Sequence, residues 1–553
     1  MNTTNTMRST QFRSKSGWHY ALIGLTAFAA QGLLLLNDGL YWDGWLIHRF
    51  LDARDWPNLS KIFVESGLPI WTYLHRLMGY SPDIVLGYRL AAFACIAASG
   101  LLIYQIGCLS GLVSPEESLL IALISLTYPG FQVAFELIIL PYVLGYFLFW
   151  LAVFLALLAE QQDKPARYGL RVGALLGFGI SFGINSLLVF YFGFLWLLVL
   201  FVRRSRSLSV REIFTSFLPR HLDYLLLPFL YWISKEILFP RQGLYGDYNQ
   251  FRLSPGSLAV SVGKFLYNSI YYQVNSALTE LTRQPVIGLI VFLAAYWCYN
   301  VLGVRSSGLP GDRVKLHALP VFGCILLGLG ILPYVAVGLG PTAHGWSTRH
   351  ALLVALPLAI VIVGLVRLVF ATGDGMLSRT GWVLVVVLVG AFSLSTVHNY
   401  ISWQARWVKD RSIMVNLAAS PEFKPFSVYW VDDQFPAGGE PFYRFYEWSS
   451  MFRTVWGDES RIGLDKRFSG AGFLSESGLF FTSRYNLADF DPLGCQAALT
   501  IQRAAPRYSD IELAMRYLFH RFLRPSGMNT FLASVTDLTV SPVDASEALH
   551  CVY

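Results

Sequence analysis

Long apolar runs constrain this chain more than any other feature of its sequence. Residues 139–159 and 185–202 contain no charged side chain, and a helix needs roughly 20 apolar residues to cross a bilayer. Because backbone groups must be satisfied internally in hydrocarbon, such runs are stable there as helices. Several runs are shorter than 20 residues, so the number of membrane crossings lies between ten and thirteen. We predict about eleven transmembrane helices, at 19–36, 84–107, 117–129, 139–159, 170–184, 185–202, 222–239, 285–304, 320–338, 350–370 and 381–400.

The composition indicates an α-helical polytopic membrane protein. Of the 553 residues, 54% are hydrophobic and only 14% are charged, and the mean hydropathy is +0.48. The net charge is +7, but most basic residues fall in short loops, where they set membrane orientation. We therefore expect the lipid bilayer as a partner and no nucleic acid.

The distribution of basic residues predicts the orientation. With a cytoplasmic N-terminus, the inside segments hold 16 Lys and Arg, and the outside loops up to residue 349 hold 9. The segment "AFAAQG" offers a signal cleavage site, but the "LLLL" directly after it favours an uncleaved anchor. An odd helix count places the C-terminus outside. We predict a multi-pass protein of a prokaryotic cytoplasmic (inner) membrane.

The composition changes near residue 401. Residues 401–553 hold 32 of the 77 charged residues, with a strand-like "FSVYWV" and a helix-like "DIELAMRYLFHRFL". We predict a transmembrane domain at 1–400 and a soluble extracytoplasmic α+β domain at 401–553. Cys495 and Cys551 can form a disulfide outside the cell or remain free, since spacing does not establish geometry.

The first outside loop, residues 37–83, follows an apolar run and carries Asp38 and Asp43 among aromatic residues. The pattern "WDGWLIHRFLDARDWPNLSKIF" predicts an amphipathic helix in the membrane interface. A partly desolvated carboxylate at this position suits proton abstraction from a hydroxyl group. The alternative is structural, with Asp38 as a helix cap and the aromatic residues as an interfacial belt.

Further charged and polar residues lie at the predicted outer helix ends. Arg89, one turn into the second helix, is either functional, paired with Asp83 or extended towards the interface. Arginine binds phosphate through two hydrogen bonds, so Arg349 is a candidate phosphate ligand or an interfacial anchor. Three more candidates lie in the outside turns: Glu136, His344 and His350.

The loop 240–284 is rich in tyrosine and includes Tyr245 and Lys264. Such residues suit sugar binding or the headgroup region. No Cys/His spacing predicts a metal site, and Asp489 and Asp491 in "DFD" are best interpreted as a turn. The sequence therefore predicts no metal ligand and does not indicate a divalent cation, so the cofactor is left open.

The segments "WDGWLIHRFL", "GLPIWTYLHRLMG" and "YRLAAFACIAASGLLIY" resemble the GT-C superfamily of integral-membrane glycosyltransferases. This superfamily includes protein O-mannosyltransferases and the aminoarabinose transferases of lipid A. Many members have Asp-Asp-Trp or Asp-Glu near the exit of the first helix, whereas Gly39 and Gly44 follow the aspartates here. Ala91 and Ala92 replace a Pro-Ser pair. The resemblance covers 19 to about 400 in layout and 36–105 in motif.

The resemblance implies an inverting glycosyltransferase that moves a sugar from a polyprenyl-phosphate donor to a hydroxyl of a lipid, glycan or protein. Asp43 or Asp38 would be the general base. The donor phosphate would be bound by Arg349, Arg89 and His350, and the substrates by Glu136, His344, Tyr245 and Lys264.

Two other functions fit the same sequence. A transporter or flippase of lipid-linked sugars predicts ionisable residues near the bilayer midplane, whereas the charges here cluster towards the outer ends. A non-catalytic scaffold, whose C-terminal domain binds a glycan or a protein partner, predicts no dependence on the loop carboxylates.

Overall fold

The structure is a computed structural model of the whole chain. It describes residues 3–206, 210–212, 215, 217–246, 250–251, 254–301, 317–370, 375–435, 443–457, 460–466 and 495–543. Helices dominate the described part, and a small sheet follows near the C-terminus.

The described α-helices of more than three residues are numbered here in chain order. They are α1 (Thr3–Gln31), α2 (Asp43–Asp52), α3 (Trp56–Glu65), α4 (Ile70–Met78), α5 (Ile84–Ser110), α6 (Pro115–Thr127), α7 (Leu140–Ala159), α8 (Ala166–Ser181), α9 (Asn185–Arg206), α10 (Leu222–Leu238), α11 (Pro255–Leu266), α12 (Tyr272–Arg283), α13 (Pro285–Val301), α14 (Ala318–Val335), α15 (Ala355–Phe370), α16 (Gly375–Ala419), α17 (Phe445–Trp456), α18 (Asp510–Phe522) and α19 (Met528–Ala533).

The apolar helices support a polytopic membrane protein, but not the predicted count of eleven. Each of the eleven predicted runs contains a helix where it is described, although several end in turns, and six helices there are long and apolar enough to cross a membrane. They are Gly17–Leu36, Ile84–Ser110, Leu137–Ala159, Asn185–Arg204, Ala318–Val335 and Thr380–Ala419. A pair bent by 106°, Pro255–Arg283 and Pro285–Tyr296, makes a seventh if it counts as one span.

The remaining predicted crossings form helices that are too short. They have 13 to 17 residues. At 1.5 Å per residue such helices are about 20 to 26 Å long, less than a hydrocarbon core of about 30 Å. Hydrophobicity alone therefore identified the helices, but did not show which of them are long enough to cross.

The helix predicted in the first outside loop forms as α2, but its apolar face is not open to lipid. Trp45, Leu46, Ile47, Phe50 and Leu51 are buried. They are covered by α17 and by the helical turn Leu137–Ile139. The amphipathic pattern therefore marks a helix between the bundle and the C-terminal region.

The C-terminal region is α+β in its described part, as predicted. Its four strands are β1 (Val428–Asp433), β2 (Ile462–Asp465), β3 (Gln496–Arg503) and β4 (Thr536–Pro542), in the order β2-β1-β3-β4. β1 is parallel to β2 and β3, and β4 is antiparallel to β3. The predicted domain boundary at residue 400 falls inside α16, a continuous helix of 45 residues.

Contacts between distant segments define the two ends of the bundle. At one end, the loop after α1, the loop before α7, residues 340–351 and the C-terminal region meet. At the opposite end, Glu160 forms ion pairs with Arg167, Arg220 and His221. The candidate residues from the sequence lie near the first end.

Candidate functional site

The start of α2 is held in an uncommon backbone conformation. Trp42 precedes the helix with φ of 39° and ψ of −129°, a left-handed φ that costs free energy for a residue with a side chain. Its N–H donates to Glu447 Oε1 at 2.9 Å, and its ring lies 4.6 Å from that of Trp403. Packing thus stabilises the bend, and Asp43 follows in the first turn of α2.

Asp43 lies between the bundle and α17. The hydroxyl of Tyr446 donates to its Oδ1 at 2.6 Å. Burial raises the pKa of Asp43 above its usual value, while the Tyr446 hydrogen bond and the charges of Arg349 and Arg444 oppose that rise. A carboxylate with a raised pKa and one strong hydrogen-bond donor is suited to accept a proton.

Glu136 occupies the space beside Gly44. A Cβ atom at position 44 would lie 3.0 Å from Glu136 Oε2 and 3.2 Å from Oε1, so a larger residue there would displace the carboxylate. Glu136 is buried, and within the described residues neither carboxylate oxygen has a hydrogen-bond partner. The absence of a side chain at Gly44 therefore leaves room for an acid from another loop.

Burial and the neighbouring charge both act on Glu136. Burial raises its pKa well above the usual value, and the negative charge of Asp43 raises it further, while Arg89 and Arg406 oppose the rise. Two carboxyl groups this close do not both ionise readily. The larger rise belongs to Glu136, so the favoured state has Glu136 protonated and Asp43 ionised.

Arg349 belongs to the same cluster. Its guanidinium lies 4.4 Å from the centre of the Trp346 ring, and its Nη1 donates to the Trp346 carbonyl at 3.1 Å. The Trp346 ring in turn lies 5.2 Å from that of Trp42. Arg349 is half-buried and close enough to Asp43 to lower its pKa. The fold thus brings the two residues together.

Sequence reasoning missed the buried pair behind Asp43. Arg406 Nη2 donates to Glu447 Oε1 at 2.8 Å, and both side chains are fully buried. The guanidinium also lies 4.3 Å from the centre of the Tyr443 ring. Burial raises the pKa of Glu447, and Arg406 opposes that rise. The isolated charges in "WQARW" and "FYEW", each between aromatic residues, are the signal that was available.

Asp38 is separate from this cluster and contacts α18. The hydroxyl of Tyr517 donates to Asp38 Oδ2 at 2.6 Å. Arg521 Nη1 lies 3.3 Å from Asp38 Oδ1. The two groups form an ion pair, but their geometry is not that of a hydrogen bond. These contacts connect the loop after α1 to the C-terminal region. Asp38 therefore links the first loop to α18 and is not a member of the Asp43 cluster.

Arg89 and His350 have structural partners. Arg89 is buried, with Nε donating to the Asn37 carbonyl at 3.0 Å and Nη2 to the Gly39 carbonyl at 2.6 Å. His350 is buried with its ring 4.8 Å from that of Tyr334. Burial lowers the pKa of His350 to about 3, so its ring is neutral at neutral pH. Neither presents a free cation to a phosphate.

The predicted substrate-binding residues are dispersed. His344 Nε2 forms a hydrogen bond of 2.6 Å with the Tyr272 hydroxyl, and the His344 ring packs against the Tyr272 ring. Tyr245 lies in the helical turn Gly243–Tyr245, next to Gln242, which bonds to the end of α3. Lys264 is exposed on α11. Only Glu136 of this set lies beside Asp43.

The structure describes only some of the residues on which the metal and disulfide predictions depend. Within the described residues no group of three or more His, Cys, Asp or Glu side chains is placed to hold a metal ion. Asp489, Asp491 and Cys551 lie outside the described residues. Cys495 is disulfide-bonded, and its pairing with Cys551 stays a prediction.

An apolar cavity of about 60 Å³ lies in the bundle close to this cluster. It is bounded by α1, α5, α6, α7 and the start of α15, and its wall includes Ala134 and Leu352. These two residues are near Glu136 and Arg349 in sequence.

Comparisons with known proteins found no relative of this chain. No protein-family model matches the chain, and neither the curated proteins nor the solved structures contain a match.

Proposed function

We propose that this chain is an integral-membrane glycosyltransferase that uses a polyprenyl-phosphate sugar and acts on the extracytoplasmic side of a prokaryotic cytoplasmic membrane. The observation that carries the proposal is the cluster of Asp43, Glu136 and Arg349 at one end of an apolar helix bundle. It combines a proton acceptor with a cation in one place, as transfer from a lipid phosphate requires.

In the proposed reaction, Asp43 accepts the proton of an acceptor hydroxyl group. The hydroxyl oxygen attacks the anomeric carbon of the donor sugar, and the bond between that carbon and the phosphate oxygen breaks. The electron pair leaves with the lipid phosphate, and Arg349 stabilises the resulting charge. A single displacement inverts the anomeric configuration.

Glu136 keeps the proton acceptor in the right state. A neutral Glu136 beside Asp43 adds no negative charge that would repel the donor phosphate. Because the pKa of Glu136 is raised more than that of Asp43, Asp43 is the member of the pair that ionises first.

The test is sugar transfer by the purified full-length protein in liposomes, supplied with a set of radiolabelled polyprenyl-phosphate sugars and extracted membrane acceptors. We expect one donor to be consumed, and Asp43→Asn to lower the rate by at least about 100-fold, as for loss of a general base. Asp38→Asn is the matched control, because it changes an acid of the same loop outside the cluster.

The outcomes separate the alternatives. Full activity of Asp43→Asn would overturn the assignment of the base. A flippase would move the labelled lipid between leaflets without cleaving its phosphate bond. A scaffold would neither move nor cleave the lipid.

A further inference from the structure

Helix α18 in the C-terminal region has apolar residues on its exposed side. Met515 is 62% exposed, Phe519 49% and Phe522 57%. With Ile511, also exposed, they fall within an arc of about 80° at 100° per residue. Leu523, directly after the helix, is 75% exposed. A helix of a water-exposed domain normally has polar residues on this side.

The opposite side of α18 is already covered. Leu513, Ala514 and Tyr517 are buried, and the helix packs against α16. The helix therefore has two apolar faces, of which the protein covers one. The uncovered face is a contiguous patch, of the kind that marks an interaction site.

The position of α18 indicates what covers this patch. Arg521 Nη1 donates to the carbonyl of Leu36 at 2.8 Å, and Leu36 is the last residue of the apolar span Gly17–Leu36. The hydroxyl of Tyr517 bonds to Asp38, two residues further on. The C-terminal end of α18 thus lies where the first span ends.

The neighbouring surface of α1 is also apolar. Leu25 and Phe28 are exposed on α1, and Leu36 is exposed at the end of the same span, as expected for side chains that face lipid. The exposed aromatic residues of α18 begin at the same end. Arg516 and Arg524 are exposed beside them, and their guanidinium groups suit the phosphates of lipid headgroups.

We propose that the apolar face of α18 is a membrane-docking surface, inserted between the headgroups and acyl chains of the bilayer that α1 crosses. Phe519, Phe522 and Leu523 enter the lipid, and Arg516 and Arg524 bind its phosphate groups. The C-terminal region is then a peripheral membrane module held next to Asp38, rather than a freely solvated domain. This inference does not depend on the proposed reaction.

The test measures the surroundings of α18 in the full-length protein in vesicles of phosphatidylcholine and phosphatidylglycerol. Cys95, Cys108, Cys298 and Cys324 are first replaced by alanine. A nitroxide label is then attached to a single new cysteine, in the variant Met515→Cys or Phe519→Cys. Asp537→Cys is the control, because Asp537 is exposed on β4 and is not part of the apolar face of α18. Collision rates with oxygen, which is enriched in lipid, are compared with those of a water-soluble nickel chelate.

We expect the ratio of oxygen to nickel collisions to be several-fold higher at 515 and 519 than at 537. Equal ratios at the three positions would overturn the proposal. Low collision rates with both reagents at 515 and 519 would indicate a protein partner and would also overturn it.

A second measurement needs no substitution. A phospholipid with a diazirine near its glycerol backbone is added to vesicles of the native protein and photolysed. We expect the photolysed lipid to label peptides from residues 510–524, which include α18. If labelling is confined to the membrane-spanning helices, the proposal is wrong.

Discussion

Tyr446 controls the protonation of Asp43 through a single hydrogen bond. We expect Tyr446→Phe to raise the pKa of Asp43 further, because the hydrogen bond that opposes the effect of burial is lost. A hydrogen bond to a charged group contributes about 1.5 kcal/mol or more, which corresponds to about one pKa unit. A base works only when ionised, so the acidic limb of the kcat/KM profile should move to higher pH by about that amount.

Tyr443→Phe is the matched control for this profile. It removes a neighbouring hydroxyl group that bonds to Asp410 instead of Asp43. An unchanged acidic limb in Tyr446→Phe would mean that this hydrogen bond does not set the pKa of the base.

The space at Gly44 is a second determinant at the residue scale. Gly44→Ala places a methyl group 3.0 Å from Glu136 Oε2, so the carboxylate must move. We expect the transfer rate to fall about tenfold or more, since small displacements of catalytic groups are costly. In a Glu136→Ala background the same change should have no further effect. Gly256→Ala, where a Cβ meets no atom within 4 Å, controls for glycine replacement in general.

At the scale of elements, one buried ion pair joins α16 to α17. Arg406→Met leaves Glu447 as a buried charge, which costs about 3–5 kcal/mol. We expect a corresponding loss of stability against thermal or denaturant unfolding of the purified protein. The double variant Arg406→Met/Glu447→Gln should recover most of it, because no unpaired charge remains and the amide oxygen can still accept from the Trp42 N–H. A double variant as unstable as Arg406→Met would show that the pair contributes more than charge compensation.

The arrangement of the whole molecule predicts which residues share a compartment. Asp52, on α2, is near the candidate site, and Gln162 is near the opposite end with Glu160, and both are exposed. In right-side-out vesicles of the cysteine-depleted protein, we expect a membrane-impermeant maleimide to label Asp52→Cys immediately. Gln162→Cys should be labelled only after permeabilisation. The reverse pattern would place the cluster in the cytosol, where the proposed donor and acceptor do not meet.

At the same scale, much of the helical framework follows from local sequence. Every predicted apolar run contains a helix where it is described, because the bilayer favours internal backbone hydrogen bonds. The predicted number of crossings was wrong because a hydrophobic run of 13 to 17 residues resembles a spanning helix locally, while its length and packing decide its role. The α+β character of the C-terminal region was likewise visible in short local patterns.

The sequence by itself determined that the chain has apolar helices, and it located Asp43 and Arg349 at helix ends, since hydropathy and charge are local properties. Only the tertiary structure decided which of these residues meet. Tyr446 is 403 residues from Asp43, and Glu447 is 405 residues from Trp42. Their contacts arise because α17 packs on α2. Likewise, Glu136 fills the space beside Gly44 because two separate loops share one end of the bundle. Local patterns contain no information about such separations, because packing brings the segments together.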